Sequence, residues 1–196
     1  MQRRAGRRLL GIVLSLVAMV LIAAGASAME VQLAGIRLGS PSQTVRDVYG
    51  EPDAQLAQAD TEAPKPPMWA VAVCSKLEPG EAQWLYRKGD VVVGVALDAE
   101  GLVRAIAVAG GPNTAWRPHR YVKLGDSYRR PMYRYGYPDA VQWLAANAAP
   151  DQPGREVVGP NAVHDDCVLT YSEANNIAFA VHNGEVARIN IWKAAQ

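Results

Sequence analysis

Two copies of one five-residue pattern decide the fold of this chain: Tyr49-Gly50-Glu51-Pro52-Asp53 and Tyr135-Gly136-Tyr137-Pro138-Asp139. The same offset of 86 residues aligns Leu38-Gly39 with Leu124-Gly125 without a gap. Self-similarity at a fixed spacing is typical of a structural unit that occurs more than once. The sequence therefore predicts two diverged copies of one small globular unit.

The residues before each pattern predict a short helix. In the first copy, we expect Ser40 to cap the helix and Pro41 to take the first helical position, where the missing N–H costs nothing. An apolar stripe at helical spacing ends in Val48-Tyr49. We expect Gly50 to end the helix in the left-handed conformation. A helix this short needs a sheet to pack on.

The residues after each helix predict that sheet. Apolar residues alternate with period two over 91–97 and return over 103–108 after a glycine turn. In the second copy, residues 177–181 lead through Asn183-Gly184, a strong hairpin signal, into residues 186–191. The predicted fold class is α+β, with two tandem units that each pack a short helical segment on a three- to four-stranded antiparallel sheet.

The two copies differ in ways that could matter for function. Residues 61–68 are too rich in proline for regular structure. Pro131 should delay or kink the second helix, and residues 140–148 predict an additional helix. The predicted domains are a signal peptide at 1–28, a first unit at 29–108, a linker at 109–118 and a second unit at 119–196.

The N-terminus predicts export. Four arginines within residues 3–8 precede the apolar stretch 9–24, and the whole pattern ends in Ala26-Ser27-Ala28. This pattern describes a secretory signal peptide cleaved after Ala28. The alternative is a retained membrane anchor, because the apolar run approaches the ~17 to 25 residues that span a bilayer. We expect a periplasmic or secreted protein with no stable membrane span.

The net charge of the chain argues against a nucleic-acid partner. The chain has 20 Lys and Arg against 19 Asp and Glu. Losing the arginines of the leader makes the remainder mildly acidic, whereas a nucleic-acid binder would carry a basic excess. We therefore expect no nucleic-acid partner.

Residues of the first copy resemble a known family. They are Gly35-Ile-Arg-Leu-Gly-Ser-Pro-Ser-Gln-Thr-Val-Arg-Asp-Val-Tyr-Gly-Glu-Pro-Asp53, then Trp84-Leu-Tyr86 and the hairpin residues 98–106. Together they resemble the SmpA/OmlA (BamE-like) domain, in which a helix ending in Leu/Tyr-Gly-x-Pro precedes a three-stranded antiparallel sheet. A tandem of such units is similar to the β-lactamase inhibitory protein family. The resemblance implies a binding protein and not an enzyme.

The cysteines depart from both relatives. BamE carries a lipid-bearing cysteine at its mature N-terminus, which this chain lacks, and the inhibitor family has a disulfide inside each unit. Here Cys74 and Cys167 place one cysteine in each unit. In an oxidising compartment one disulfide can form between the units. We expect that bridge, and the alternative is two separate thiols.

Few residues of the sequence suggest catalysis or metal binding. The cluster His164-Asp165-Asp166-Cys167 invites a catalytic or metal-binding interpretation, but a metal site needs three or four convergent ligands and only His119 and His182 remain as further histidines. A cysteine nucleophile also needs an oriented imidazole beside it. We expect a loop before a strand, with no catalytic residue, metal or cofactor. Asp53 and Asp139 recur in both copies, which favours a structural role.

The stretch from Trp116 to Tyr137 is the better functional candidate. It holds five arginines, one lysine, six aromatic residues and a single acid, and Trp, Tyr and Arg dominate protein interfaces. The alternative is that these residues are repeat core and ordinary solvated surface. The candidate interaction residues are Trp116, Arg117, Arg120, Tyr121, Tyr128, Arg129, Arg130, Tyr133 and Arg134.

The expected function is that of an exported, non-enzymatic module of the bacterial envelope that binds another envelope protein through this segment and the sheet faces. One alternative is a cell-envelope enzyme that uses His164 and Cys167. Another is a binder of anionic envelope polymers, because an arginine-rich segment suits such a ligand.

Overall fold

The computed structural model describes residues 30–57, 65–112, 120–143, 166–173 and 175–193. The leader at 1–28 lies outside these ranges. The helices are α1 (Ser42–Tyr49), a 3₁₀ helix (Met68–Val73) and α2 (Arg129–Tyr135). The strands are β1 (Gln32–Leu33), β2 (Ile36–Arg37), β3 (Ala54–Ala57), β4 (Ala82–Lys88), β5 (Val91–Leu97), β6 (Val103–Gly110), β7 (Ala140–Trp143), β8 (Cys167–Tyr171), β9 (Ile177–His182) and β10 (Glu185–Trp192).

Strands β3 to β10 form one antiparallel sheet in the order β3-β4-β5-β6-β10-β9-β8-β7. Each half of the chain contributes four strands, and the halves join where β6 pairs with β10, with Val108 opposite Ile189. The α+β class is therefore confirmed, but the two halves share one sheet instead of forming two. Pairing β6 with β10 removes two free strand edges, which are sites of unwanted association.

One face of the sheet carries a single apolar core that runs through both halves. The period-two alternation predicted for residues 91–97 is confirmed, because Val91, Val93, Val95 and Leu97 are all buried. Helix α1 contributes Val45, and the β1–β2 hairpin contributes Leu33 and Ile36. The second half supplies Tyr171, Ile177, Phe179, Val181, Ile189 and Ile191 to the same core.

The first copy of the five-residue pattern ties α1 to the sheet. The Tyr86 hydroxyl donates to the Gly50 carbonyl at 3.4 Å, and the Tyr49 ring lies 4.9 Å from the Tyr86 ring. The Asp53 carboxylate accepts the backbone N–H of Arg87 at 2.6 Å. Asp53 therefore holds the turn between helix and sheet.

The second copy makes the same contacts. The Tyr171 hydroxyl donates to the Gly136 carbonyl at 3.2 Å, and the Tyr135 and Tyr171 rings lie 5.4 Å apart. The Asp139 carboxylate accepts the backbone N–H of Glu173 at 2.9 Å. Each part of the pattern has the same physical task in both halves, and the recurring aspartates bond to backbone.

Both helices end in a conformation that differs from the predicted left-handed cap. Gly50 has φ 80° and ψ −158°, and Gly136 has φ 88° and ψ −158°. This region of backbone space is essentially restricted to glycine. The predicted Ser40 cap was also wrong, since α1 begins at Ser42 without a side-chain cap. The Ser40 carbonyl instead accepts the Val103 N–H at 2.8 Å.

The additional helix predicted at 140–148 was wrong where the structure describes it. Ala140–Trp143 is strand β7, paired with β8 through Ala140 opposite Thr170. Helix propensity is a weak preference, and a complete ladder of backbone hydrogen bonds outweighs it. Residues 144–148 lie outside the described ranges. Pro131 is buried in the first turn of α2, where the helix loses no backbone bond.

The opposite face of the first half is covered by the 3₁₀ helix, which follows directly on the predicted irregular proline-rich segment. Gln83 is fully buried there, donating to the Val73 carbonyl at 2.8 Å and accepting the Ser75 N–H at 3.0 Å. A Cβ on Gly94 would lie 2.7 Å from the Val73 carbonyl oxygen. Glycine at this position lets the 3₁₀ helix approach the sheet.

The predicted linker begins inside regular structure, because Ala109 and Gly110 are the last residues of β6. The linker residues 113–118 lie outside the described ranges. Among the helices that the structure describes, none is long and apolar enough to cross a membrane.

Candidate functional site

Helix α2 exposes basic and aromatic side chains on the side away from the core. Arg129, Arg130, Tyr133 and Arg134 are exposed, and Tyr133 keeps 79% of its surface in solvent. Tyr137, just past the helix, is 88% exposed, and Tyr121, before it, is 54% exposed. We call these six residues, Tyr121, Arg129, Arg130, Tyr133, Arg134 and Tyr137, the Arg/Tyr surface.

Two of its arginines lie over tyrosine rings. The Arg129 guanidinium is 5.8 Å from the Tyr128 ring centroid and donates to the Tyr128 hydroxyl at 3.2 Å. The Arg134 guanidinium is 5.7 Å from the Tyr133 ring centroid. Both distances fall in the range of cation–π contacts.

The arginines of this surface have no counter-charge among the described residues. Across the part of the chain that the structure describes, no carboxylate forms an ion pair with Arg129, Arg130 or Arg134. Helix α1 differs, because its Arg46 lies 3.5 Å from the Glu51 carboxylate. Helix α1 therefore has a paired arginine, whereas the three arginines of α2 have no carboxylate partner among the described residues.

Arg120, predicted as an interaction residue, has a structural task. Its guanidinium lies 4.9 Å from the Tyr135 ring centroid and donates to the Arg134 carbonyl at 3.2 Å. Its Nε is 3.9 Å from the carboxylate of Glu30, which is buried and accepts the Tyr135 hydroxyl at 2.7 Å. Arg120 and Glu30 thus position the C-terminal end of α2.

The other predicted interaction residues differ in how far they are exposed to solvent. Tyr121, Arg129, Arg130, Tyr133 and Arg134 are exposed. Tyr128 is half-buried against the core, while Trp116 and Arg117 lie outside the described ranges. Tyr137 was not predicted, because it occupies the variable position of the five-residue pattern. Its place within the Arg- and Tyr-rich segment was the signal that could have identified it.

Comparison with known proteins does not assign this chain to a family. No protein-family profile matches the chain, and no curated protein sequence matches it. Among solved structures, a cysteine-rich secretory protein from Staphylococcus aureus aligns with 85% of this chain and 48% of its own, at 9% identity and a TM-score of 0.48. This chain spans about half the length of that protein.

Two further solved structures are similar at low identity. A DUF4309 family protein from Bacillus subtilis aligns over 79% of both chains, at 14% identity and a TM-score of 0.41. A protein from Streptococcus mutans, named as a candidate β-lactamase inhibitor, aligns with 77% of this chain and 81% of its own, at 12% identity and a TM-score of 0.28.

The predicted disulfide is absent, because the two cysteines lie on opposite faces of the sheet. Cys167 is buried in the core on the helix face. Cys74 follows the 3₁₀ helix on the other face, where its thiol donates to the Ala70 carbonyl at 3.2 Å. Both thiols are free. Burial, with a smaller contribution from Asp166, raises the pKa of Cys167 to about 11, so this thiol stays protonated at neutral pH.

Asp166, part of the predicted His164–Cys167 cluster, pairs with His182. Its carboxylate lies 2.8 Å from His182 Nδ1 and accepts the Asn183 N–H at 3.2 Å. The bond from His182, followed by that from Asn183, lowers the pKa of Asp166. These contacts tie the residue before β8 to the turn of the β9–β10 hairpin. His164 lies outside the described ranges, within which no group of three His, Cys, Asp or Glu residues could hold a metal.

Two polar residues on the other face of β10 were missed by the sequence reasoning. Arg188 donates to the Ala72 carbonyl at 3.1 Å, and burial lowers the pKa of its guanidinium. Its Nε and the Oδ1 of Asn190 are buried without a hydrogen-bond partner in the part of the chain that is described. Polar residues at period two in a central strand were the available signal.

Proposed function

We propose that this chain is an exported protein-binding module of the bacterial envelope, built from two tandem BamE-like units. In this proposal the Arg/Tyr surface binds an acidic region of another envelope protein. The observation that carries it is the contrast between α1, whose arginine has a carboxylate partner, and α2, whose three arginines have none among the described residues.

Two of the three arginines of α2 are placed unfavourably for the helix dipole, whereas Arg134 lies in the last turn, where positive charge is favoured. Arg129 and Arg130 lie in its first turn, where the helix dipole disfavours positive charge. Arg130 and Arg134 stand four residues apart, and like charges at this spacing destabilise a helix by about 0.2–0.5 kcal/mol. Residues that oppose the stability of their own helix favour a role outside the fold.

The composition of the surface suits a protein interface. Tyrosine and arginine are enriched among the residues that dominate binding energy. An arginine on an aromatic ring presents planar N–H donors that match a carboxylate in bidentate geometry. An acidic partner would supply the counter-charge that the described residues do not provide at this surface.

The test compares two triple variants at equivalent helix positions. Arg129→Ala/Arg130→Ala/Arg134→Ala removes the basic residues, and Gln43→Ala/Thr44→Ala/Val48→Ala changes the matching positions of α1. A partner is first identified by affinity purification of the wild-type protein, and its affinity for each purified variant is then measured. We expect the arginine variant to lose about 100-fold or more in affinity, as for interface hot spots, and the α1 variant to bind normally.

Unchanged affinity in the arginine variant, with a native circular dichroism spectrum, would refute the proposal. Salt-sensitive binding to purified lipopolysaccharide that is lost in the arginine variant would instead favour an anionic polymer as the ligand.

A further inference from the structure

The shared sheet ends in strand β3 on one side and in strand β7 on the other. Among the described residues, β3 pairs only with β4, and β7 pairs only with β8. An edge strand offers backbone N–H and C=O groups to another chain, and proteins commonly protect such an edge with lysine, proline or a bulge. Strand β7 reads Ala-Val-Gln-Trp and pairs with β8 in a regular register, so it has none of these protections.

The two edge strands differ in the side chains that they carry on the core face. The offset of 86 residues aligns Gln55 of β3 with Val141 of β7. It also aligns Ala57 with Trp143, and all four residues lie on the side of the sheet that carries the apolar core. Val141 keeps 38% of its surface in solvent, and Trp143 is only partly buried against the core. The first half thus ends its core in polar or small residues, whereas the second half ends it in large apolar ones.

Strand β7 is complementary to a second copy of itself. A two-fold axis perpendicular to the sheet makes the two strands antiparallel and keeps the cores of both copies on the same side. With this axis at Gln142, Val141 of each copy lies opposite Trp143 of the other copy. Aromatic and β-branched side chains form favourable cross-strand pairs. The equivalent arrangement of β3 would place Gln55 opposite Ala57, without a large apolar contact.

We infer that this chain forms a dimer in which β7 of one copy pairs with β7 of the other, so that the two sheets become one. The pairing gives backbone partners to the outer edge of β7 and covers Val141 and Trp143. Helix α2 packs on the core face through Tyr135, so both copies carry the Arg/Tyr surface on the same side of the dimer. The dimer does not depend on what the Arg/Tyr surface binds.

Exchanging the β7 residues for their β3 equivalents tests the dimer. By light scattering coupled to size-exclusion chromatography, we expect the wild-type protein to have twice the mass of one chain. Val141→Gln/Trp143→Ala should have the mass of one chain, with a native circular dichroism spectrum. The matched control Gln55→Lys places a charge on the β3 edge and should leave the dimer intact. A monomeric wild-type protein, or a dimer that only Gln55→Lys dissociates, overturns the inference.

A cysteine at the two-fold axis tests the register and leaves the core unchanged, so it decides the question even if the double variant does not fold. Opposite residues in antiparallel strands have Cα atoms about 4.5–5.5 Å apart, a separation that a disulfide can bridge. In a Cys74→Ser background, we expect mild oxidation to link Gln142→Cys into a covalent dimer and to leave Gln55→Cys unlinked. A Gln142→Cys protein that keeps its new thiol free, or equal linkage of both variants, overturns β7 as the interface.

Discussion

The hydroxyl of Tyr135 donates a 2.7 Å hydrogen bond to the carboxylate of Glu30, 105 residues earlier in the chain. The N–H of Glu30 also bonds to the Asn175 carbonyl at 3.2 Å. In the first half, the equivalent hydroxyl of Tyr49 donates to the backbone carbonyl of Ala34 at 2.5 Å. The second half therefore depends on a residue from the start of the first half.

Tyr135→Phe tests this dependence. The buried carboxylate of Glu30 would lose one of its partners, and a hydrogen bond to a charged group contributes about 1.5–3 kcal/mol to the free energy of unfolding. Tyr49→Phe removes a bond to a neutral carbonyl and should cost about 1 kcal/mol. Urea unfolding followed by circular dichroism measures both. Equal losses would show that Glu30 makes no special contribution.

Alanine at either helix-ending glycine should destabilise the fold. Gly50 and Gly136 have φ and ψ values that a Cβ disfavours, so Gly50→Ala and Gly136→Ala should each cost about 1–3 kcal/mol. No atom lies within 4 Å of a Cβ at these positions, so the cost comes from the backbone alone. Gly111→Ala, also in open space but without a positive φ, is the control and should be nearly neutral.

The two thiols should differ in reactivity. Ellman titration of the native, unreduced protein should modify Cys74 slowly, because it is only half-buried, and leave Cys167 unmodified. In denaturant both thiols should react at once. A titre of zero in the unfolded, unreduced protein would demonstrate the disulfide and contradict the placement of the cysteines on opposite faces.

Stability should fall in alkaline solution. Burial is the main cause that raises the pKa of Tyr86 to about 12 from its ordinary value of 10. The unfolded state therefore releases this proton at lower pH than the folded state, so the contribution is complete below pH 10 and is lost as the pH rises towards 12. Unfolding free energies at pH 9 and 11.5 measure the fall. Tyr86→Phe should make it shallower, and an unchanged slope would contradict the assignment.

Sequence patterns predicted the fold correctly where the local preference of the residues for helix, strand or turn agrees with their tertiary contacts. The alternation over residues 91–97 and the Asn183-Gly184 turn between β9 and β10 were predicted correctly. The strand at Ala140–Trp143 was not, because pairing with β8 overrides an alanine-rich, helix-favouring composition. The joining of both halves into one sheet depends on the β6–β10 pairing, which no local pattern encodes.

The sequence predicted which segment holds the candidate site but not which of its side chains are exposed. The arginine and tyrosine content of residues 116–137 identified the segment. Sequence alone could not separate Arg120, which bonds to α2 and Glu30, from Arg130, which is exposed. Nor could it show that Tyr121 has the backbone conformation of a glycine. Both facts depend on contacts between distant residues.

Site-specific photocrosslinking tests the central claim most directly. A photoreactive amino acid replaces Tyr133 on α2 in one variant and Asp47, its equivalent on α1, in another, in cells that produce the protein. We expect position 133 to crosslink to one acidic envelope protein and position 47 to give no such product. Crosslinks of equal yield from both positions, or none from position 133, would contradict the assignment of the Arg/Tyr surface as the binding site.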